Sequence, residues 1–324
     1  MIIDKILRQL TPERVKKEIE AIQRVKLPPE LQKWVREYEK VGERNEFFWK
    51  FMYKANQLIN PFNIPQKSIS EVKFLIIMFV ILLDDISDKI KDEKLFAKLI
   101  NIPFGQNSIE FTRSSRKEKK YLQFAMRLWY YIERRIKKYP SYKKFREIFN
   151  FDFVQTLNAL KYSLIVNRIP YLINKTEYWM YSPHTLLGMV YCDLDLMNFS
   201  KFNIKDLSII REVFLRAQKM ARIGDCLSTW IRELNENDLT SGVLAYAINS
   251  NLVKVEDMRK KNKRNYLIIK INRSAIRKEL VKKWQQYHGE MSCLCRRTRI
   301  KNLKSFLPQL EKLILMHFIS EGYK

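Results

Sequence analysis

Five side chains on two stretches of this 324-residue sequence have the types and spacing to hold a hard metal ion. The first stretch, "FVILLDDISDKIKD" (79–92), ends an apolar run in Asp84, Asp85, Asp88 and Asp92, a third of the chain's twelve aspartates. Residues four apart on a helix share a face, so Asp84 and Asp88 are expected side by side, with Asp85 and Asp92 near the edge of the same stripe. Two such carboxylates repel unless a cation lies between them, and the nearby bases, Lys89 and Lys91, follow the first acid. A divalent ion fits better: Mg²⁺ takes oxygen ligands, keeps several waters and is often held by one or two carboxylates together with substrate phosphates. Val80 and Ile81 lie one turn before Asp84 and Ile77 two turns before it, so the same face is apolar below and acidic at its mouth. That pattern describes a hydrophobic pocket with a metal site at its rim.

The second stretch is "RIGDCLSTWIRELNENDLTSG" (222–242). Asp225, Thr229 and Glu233 recur at i, i+4 and i+8 and form one polar stripe, an oxygen set suited to a second Mg²⁺. Arg232, beside Glu233, is placed to reach an anion held by that metal.

The elements that must carry these stripes read as helices throughout. Gly is rare (7), Pro modest (10), and Leu, Ile, Lys, Glu and Arg are abundant, so the expected architecture is a single all-α domain over residues 1–324. Breaks are expected at "PFNIPQKS" (61–68), "NIPFGQNS" (101–108), "NRIPYLINKTE" (167–177) and "NENDLTSG" (235–242). "NYLIIKIN" (265–272) has strand propensity but no evident partner. The longest apolar run, Phe74 to Leu83, is half of what a membrane span needs, and the N-terminus has no signal-peptide pattern. Cys192, Cys226, Cys293 and Cys295 form no CxxC pair and are expected as buried thiols, so a cytoplasmic location is the expectation.

Together the two stripes resemble the class I terpene synthases, the trans-isoprenoid cyclases, of the bacterial and coral single-domain type. "DDISD" matches that family's DDxxD motif, and "DCLSTWIRE" matches its (N/D)DxxSxxxE motif at Asp225, Thr229 and Glu233, with Cys226 in place of the second acid. The flank "ENDLTSGVLAYA" is also similar. The resemblance spans essentially the whole chain and implies a helical bundle in which three Mg²⁺ ions clamp the diphosphate of a linear prenyl diphosphate, farnesyl or geranylgeranyl. Its departure leaves an allylic cation that the enzyme cyclises to a sesqui- or diterpene. It implies that Asp84 and Asp88 anchor metal on one wall and Asp225, Thr229 and Glu233 on the other. Asp85 would support them from behind, and Arg232 would bind diphosphate. His184, four residues before the candidate helix-break Gly188, and the terminal Tyr323 and Lys324 occupy positions of further diphosphate contacts. A monomer or homodimer without stable membrane insertion is implied. Phe48, Trp49, Phe79, Tyr191 and Phe318 are candidates for the aromatic wall of the substrate pocket, with Ile77, Val80, Ile81 and Gly188. Asp193 and Asp195 do not form the DxDD of proton-initiated cyclases.

Two rivals are weighed. A prenyl-chain elongating synthase would carry two DDxxD motifs and a head-to-head condensing synthase two DxxxD motifs; this chain has one DDxxD. A helical nucleic-acid or membrane-surface binder would exploit the +26 net charge and the segment 113–146, rich in Lys, Arg, Tyr and Trp. That rival leaves both acidic stripes unexplained, and without a metal they would repel phosphate, so no nucleic-acid partner is expected.

Overall fold

The computed structural model describes residues 2–62, 66–105, 115–298 and 300–323, and every regular element among them is helical. The apolar run lies in helix Gln66–Asp85, whose side chains from Phe74 to Val80 are all buried. A helix apolar on every side belongs at the centre of a bundle. It packs against Glu46–Leu58 and Arg116–Ile136, and Tyr142–Arg168 packs against the equally buried Gly188–Asn198. The second acidic stripe lies on the longest helix, Leu207–Asn235, which rests against Gly188–Asn198, Ile276–Arg297 and Phe306–Ile319. Both acidic segments therefore emerge at the C-terminal ends of long helices with apolar beds.

The starts and stops follow local chemistry. Asn45 caps Glu46–Leu58 by accepting the Phe48 N–H, and Ser115 with Glu118 forms a reciprocal capping box on Arg116–Ile136. The segment around the candidate helix-break Gly188 is divided into Lys175–Tyr181, a 3₁₀ turn at Ser182–Leu186 and Gly188–Asn198. The positive φ at that break belongs to Leu187 (60°), not to Gly188. Gly188 is small for another reason: a Cβ there would meet the Gln218 Cβ at 2.5 Å, so it permits close approach of two helices. "NYLIIKIN" lies within helix Arg264–Asn272, where Leu267 and Ile271 are buried on one face. Three cysteines are buried as expected; Cys293 is exposed.

The basic segment 113–146 forms helical structure from Ser115 onward, and most of its rings face inward. Tyr121, Phe124 and Trp129 are buried, and Trp129 packs on Phe79 and Phe153 at 5.0 and 4.8 Å. Tyr130 is exposed. Base stacking needs exposed rings, so the binder reading loses its main support. No helix among the described residues is long and apolar enough to cross a membrane.

Two acids within the bundle core, Asp195 and Asp152, have a base within ion-pair reach. Lys73 Nζ lies 2.7 Å from Asp195 Oδ1, with both side chains almost fully buried. Arg211 spans Asp152 with two bonds of 2.6 and 3.0 Å and comes within 3.4 Å of Asp193. Removing one member of such a pair strands a buried charge. Lys73→Met should therefore cost about 3–5 kcal/mol in urea unfolding, and adding Asp195→Asn should restore much of the loss. Equal stability of wild type and Lys73→Met would contradict the pairing.

Candidate active site

A cavity of about 140 Å³ lies between the two acidic helix ends. Its apolar floor comes from Glu46–Leu58, through Phe48, Phe51, Met52 and Ala55, and from Ile77, Val80 and Ile81 of the helix opposite. Tyr191 and Leu313 complete it. The rim is charged: Asp84, Asp88, Asp225, Glu233 and Asp238 line it with Arg44, Lys89, Arg222 and Arg232.

On the first wall, helix Gln66–Asp85 passes into a π-helical turn, Ile86–Ile90, which the Lys91 N–H closes onto the Ile86 carbonyl. Single π turns recur at functional sites. The four aspartates divide their work. Arg44 Nη2 lies 3.1 Å from Asp84, and its Nε lies 2.9 Å from Asp85. Asp85 turns away from the cavity and also accepts the Tyr38 hydroxyl. Asp88 Oδ1 accepts from Ser87 and, at 3.2 Å, from Asn167 Nδ2. Asp92 departs from the expected stripe: it caps the following helix, Glu93–Ile100, by accepting the Leu95 N–H.

The second wall is part of Leu207–Asn235. Arg222, one turn before Asp225, pairs with it at 2.9 Å. His317 Nδ1, from Phe306–Ile319, stands 3.8 Å from the other Asp225 oxygen. Thr229 Oγ1 lies 2.7 Å from Glu233 Oε1 and 2.8 Å from the Asp225 carbonyl, within its own helix. Arg232 Nη1 bonds Glu236 at 2.8 Å. Glu233 Oε2 is buried and has no hydrogen-bond partner among the described residues.

The electrostatics of the rim are unbalanced. Burial lifts the Asp84 carboxyl to about 6, with Arg44 pulling the other way. Burial, then the neighbouring Asp238 and Asp84, pushes Asp88 well above the usual carboxylate range. Burial and then Asp238 raise Glu233 to about 7. These groups behave as acids short of cations.

That shortage is the test for a metal. The acidic donors at the rim are all oxygens, the preference of Mg²⁺, and one of them is a buried carboxylate oxygen without a hydrogen-bond partner among the described residues. No three acidic, imidazole or thiolate groups among the described residues already converge to coordination distance. Mg²⁺ retains waters readily, so a hydrated ion suits such a rim, and the residues present fit one.

Of the residues singled out in the sequence, the rim joins Asp84, Asp88, Asp225, Arg232 and Glu233, and the floor joins Phe48, Ile77, Val80, Ile81 and Tyr191. Others stand off the cavity, Thr229 among them, with its hydroxyl engaged by Asp225 and Glu233 of its own helix. Trp49 is enclosed by Tyr38, Phe48 and Phe74, and Phe79 faces Trp129 on the far side of its helix. Phe318 lies under the Arg277 guanidinium, and Gly188 abuts Gln218. His184 does not line the cavity, whereas the next two residues, Thr185 and Leu186, do. Burial holds the His184 imidazole below its usual range, with Asp152 opposing and Lys219 adding to the effect. Tyr323 is exposed and packs on Phe47 at 5.7 Å, and Lys324 lies outside the described residues.

Sequence reasoning missed Arg44, Phe51, Arg222, Asp238, His317 and Asn167. Arg222 was within reach, because it extends the 225–229–233 stripe by one turn. Phe51 was too, since Phe48, Phe51, Met52 and Ala55 form one helical face.

A carboxyl whose folded-state value is raised binds its proton more tightly when folded. It therefore contributes stability at low pH that is lost as pH rises toward the folded value. In metal-free buffer, the Tm of Glu233→Gln minus that of wild type should climb between about pH 4 and about pH 7 and level off above. A flat difference would mean that the Glu233 carboxylate carries no such burden.

No protein-family model and no curated protein matches this sequence. Solved structures do match. The chain is similar to isoprene synthase from grey poplar leaves (Populus x canescens), with a TM-score of 0.58 and 11% identity over 96% of this chain and 54% of that one. The chain thus spans about half the length of that enzyme. At this identity the likeness establishes a shared all-α fold.

Proposed function

We propose that this protein is a Mg²⁺-dependent class I terpene synthase that ionises a linear prenyl diphosphate, farnesyl or geranylgeranyl, and cyclises the resulting cation with release of diphosphate. The observation that supports this reading is the meeting, across one cavity, of two acidic helix ends over an apolar floor. The shared fold with isoprene synthase agrees with it.

In this reading Asp84, Asp88, Asp225, Thr229 and Glu233 hold the metal. Bound Mg²⁺ supplies Lewis-acid neutralisation of the diphosphate as it leaves. Arg222 and Arg232 line the same rim and can turn their guanidinium groups from Asp225 and Glu236 to diphosphate oxygens. Asp85, itself held by the Tyr38 hydroxyl, fixes Arg44 beside Asp84 at the rim. The isoprenoid chain lies along Ile77, Val80 and Ile81, with Phe48, Phe51 and Tyr191 offering ring surface to developing positive charge. An apolar floor keeps out the water that would quench that charge.

The test is incubation with geranyl, farnesyl and geranylgeranyl diphosphates, with and without isopentenyl diphosphate, followed by GC–MS. Cyclic hydrocarbon or alcohol from a single allylic diphosphate is expected, abolished by EDTA and lowered at least about 100-fold in Asp88→Asn and Glu233→Gln. Consumption only when isopentenyl diphosphate is present would instead assign a chain-elongating enzyme. Full activity in both variants would remove the site assignment.

A further inference from the structure

The acids of the rim differ in one respect that their sequence motifs conceal. Asp84 is paired with Arg44, and Asp225 with Arg222. Asp88, Glu233 and Asp238 are 8%, 6% and 7% exposed, and no Lys or Arg among the described residues pairs with any of them. Asp238 belongs to neither stripe. It lies in the turn after Leu207–Asn235, directly after Asn237, whose φ of 58° bends the chain back toward the cavity.

One side chain ties this turn to the first wall. Asn167, near the end of Tyr142–Arg168, donates from Nδ2 to Asp88 Oδ1 and to Asp238 Oδ1, each at 3.2 Å. Its Oδ1 accepts the Leu239 N–H at 2.8 Å. Asp238 Oδ1 also accepts the Thr240 N–H and hydroxyl, at 3.0 and 2.8 Å. Among the described residues, these bonds load the Oδ1 atoms of both aspartates. A neutral amide bridging two carboxylates fixes their geometry without cancelling their charge. The independent sign of a ligand is Glu233 Oε2, which is buried, belongs to a residue lining the same cavity and has no hydrogen-bond partner among the described residues.

We propose that Asp238 is a further cation-holding carboxylate of this site, and that Asn167 is the positioning residue that sets Asp238 and Asp88 at a fixed separation. This rests on the metal-dependent reading above. It adds an acid from the turn to those from the two helices, and it gives the metal-free protein a place to bind its first divalent cation before substrate arrives.

Thermal unfolding without substrate tests this, in EDTA and across a Mn²⁺ or Mg²⁺ titration. Wild type should gain Tm with either metal. Asp238→Asn should match or exceed wild type in EDTA, because a buried charge is gone, yet need at least about 10-fold more Mn²⁺ for its gain. A merely structural role predicts a lower Tm in EDTA and an unchanged metal response. Asn167→Ser should also weaken the metal response about 10-fold, with some loss of Tm in EDTA from the orphaned Leu239 N–H. Asp206→Asn, at the opposite end of Leu207–Asn235, should respond as wild type does. If wild type shows no metal response, the metal reading itself falls. If wild type and Asp238→Asn respond at the same concentrations, this assignment alone is overturned.

Discussion

Uncompensated negative charge at the rim of one cavity is the constraint around which the molecule is arranged. Elsewhere in the bundle, Asp195 and Asp152 each have a base within ion-pair reach. Asp195 has Lys73 at 2.7 Å, and Asp152 is gripped twice by Arg211. At the rim, Arg44 and Arg222 answer for Asp84, Asp85 and Asp225, while Asp88, Glu233 and Asp238 have no such partner among the described residues. Burying an unpaired carboxylate is costly, so a fold that buries several beside one cavity needs a cation from outside or a proton in its place. The lifted proton affinities of Asp84, Asp88 and Glu233 are the same deficit seen in metal-free protein. A basic surface does not relieve it, since most of the +26 charge is solvated and screened.

The bundle makes this arrangement possible by separating layers. Helices Gln66–Asp85 and Gly188–Asn198 are buried nearly all round and supply a rigid apolar floor. Each acidic segment lies one or two turns above that floor, near the point where its helix gives way to irregular backbone. On one side this is the π turn Ile86–Ile90, on the other the turn through Asn237. Asn167 reaches both, so the two walls are held by one side chain from a third helix. A hydrocarbon below and a diphosphate above would meet at the level where polarity changes.

How much of this was legible in the sequence depends on how local each signal was. Asp84 with Asp88, and Asp225 with Glu233, could be read because helical periodicity converts spacing into a shared face. Phe79 could have been excluded by the same rule, since it lies about 200° round the helix from Ile77. Trp49 likewise falls off the face shared by Phe48, Phe51 and Met52. Arg44, Asn167 and Asp238 could not be read, because each acquires its role from a partner dozens of residues away. Nothing near Asn167 marks it until the turn at 237–240 folds against it. Asp92 was misjudged for the opposite reason: the helix that would have kept it in register ends at Lys91, which takes a left-handed conformation, and the acid is freed to cap the next helix.

The most direct test of the account is the position of a metal. Crystals grown with Mn²⁺ and inorganic diphosphate, measured at the manganese absorption edge, should give anomalous peaks between the Asp88 and Glu233 walls, with diphosphate density beside Arg222 and Arg232. Diphosphate bound by basic side chains alone, with no anomalous peak within reach of Asp88, Glu233 or Asp238, would contradict it.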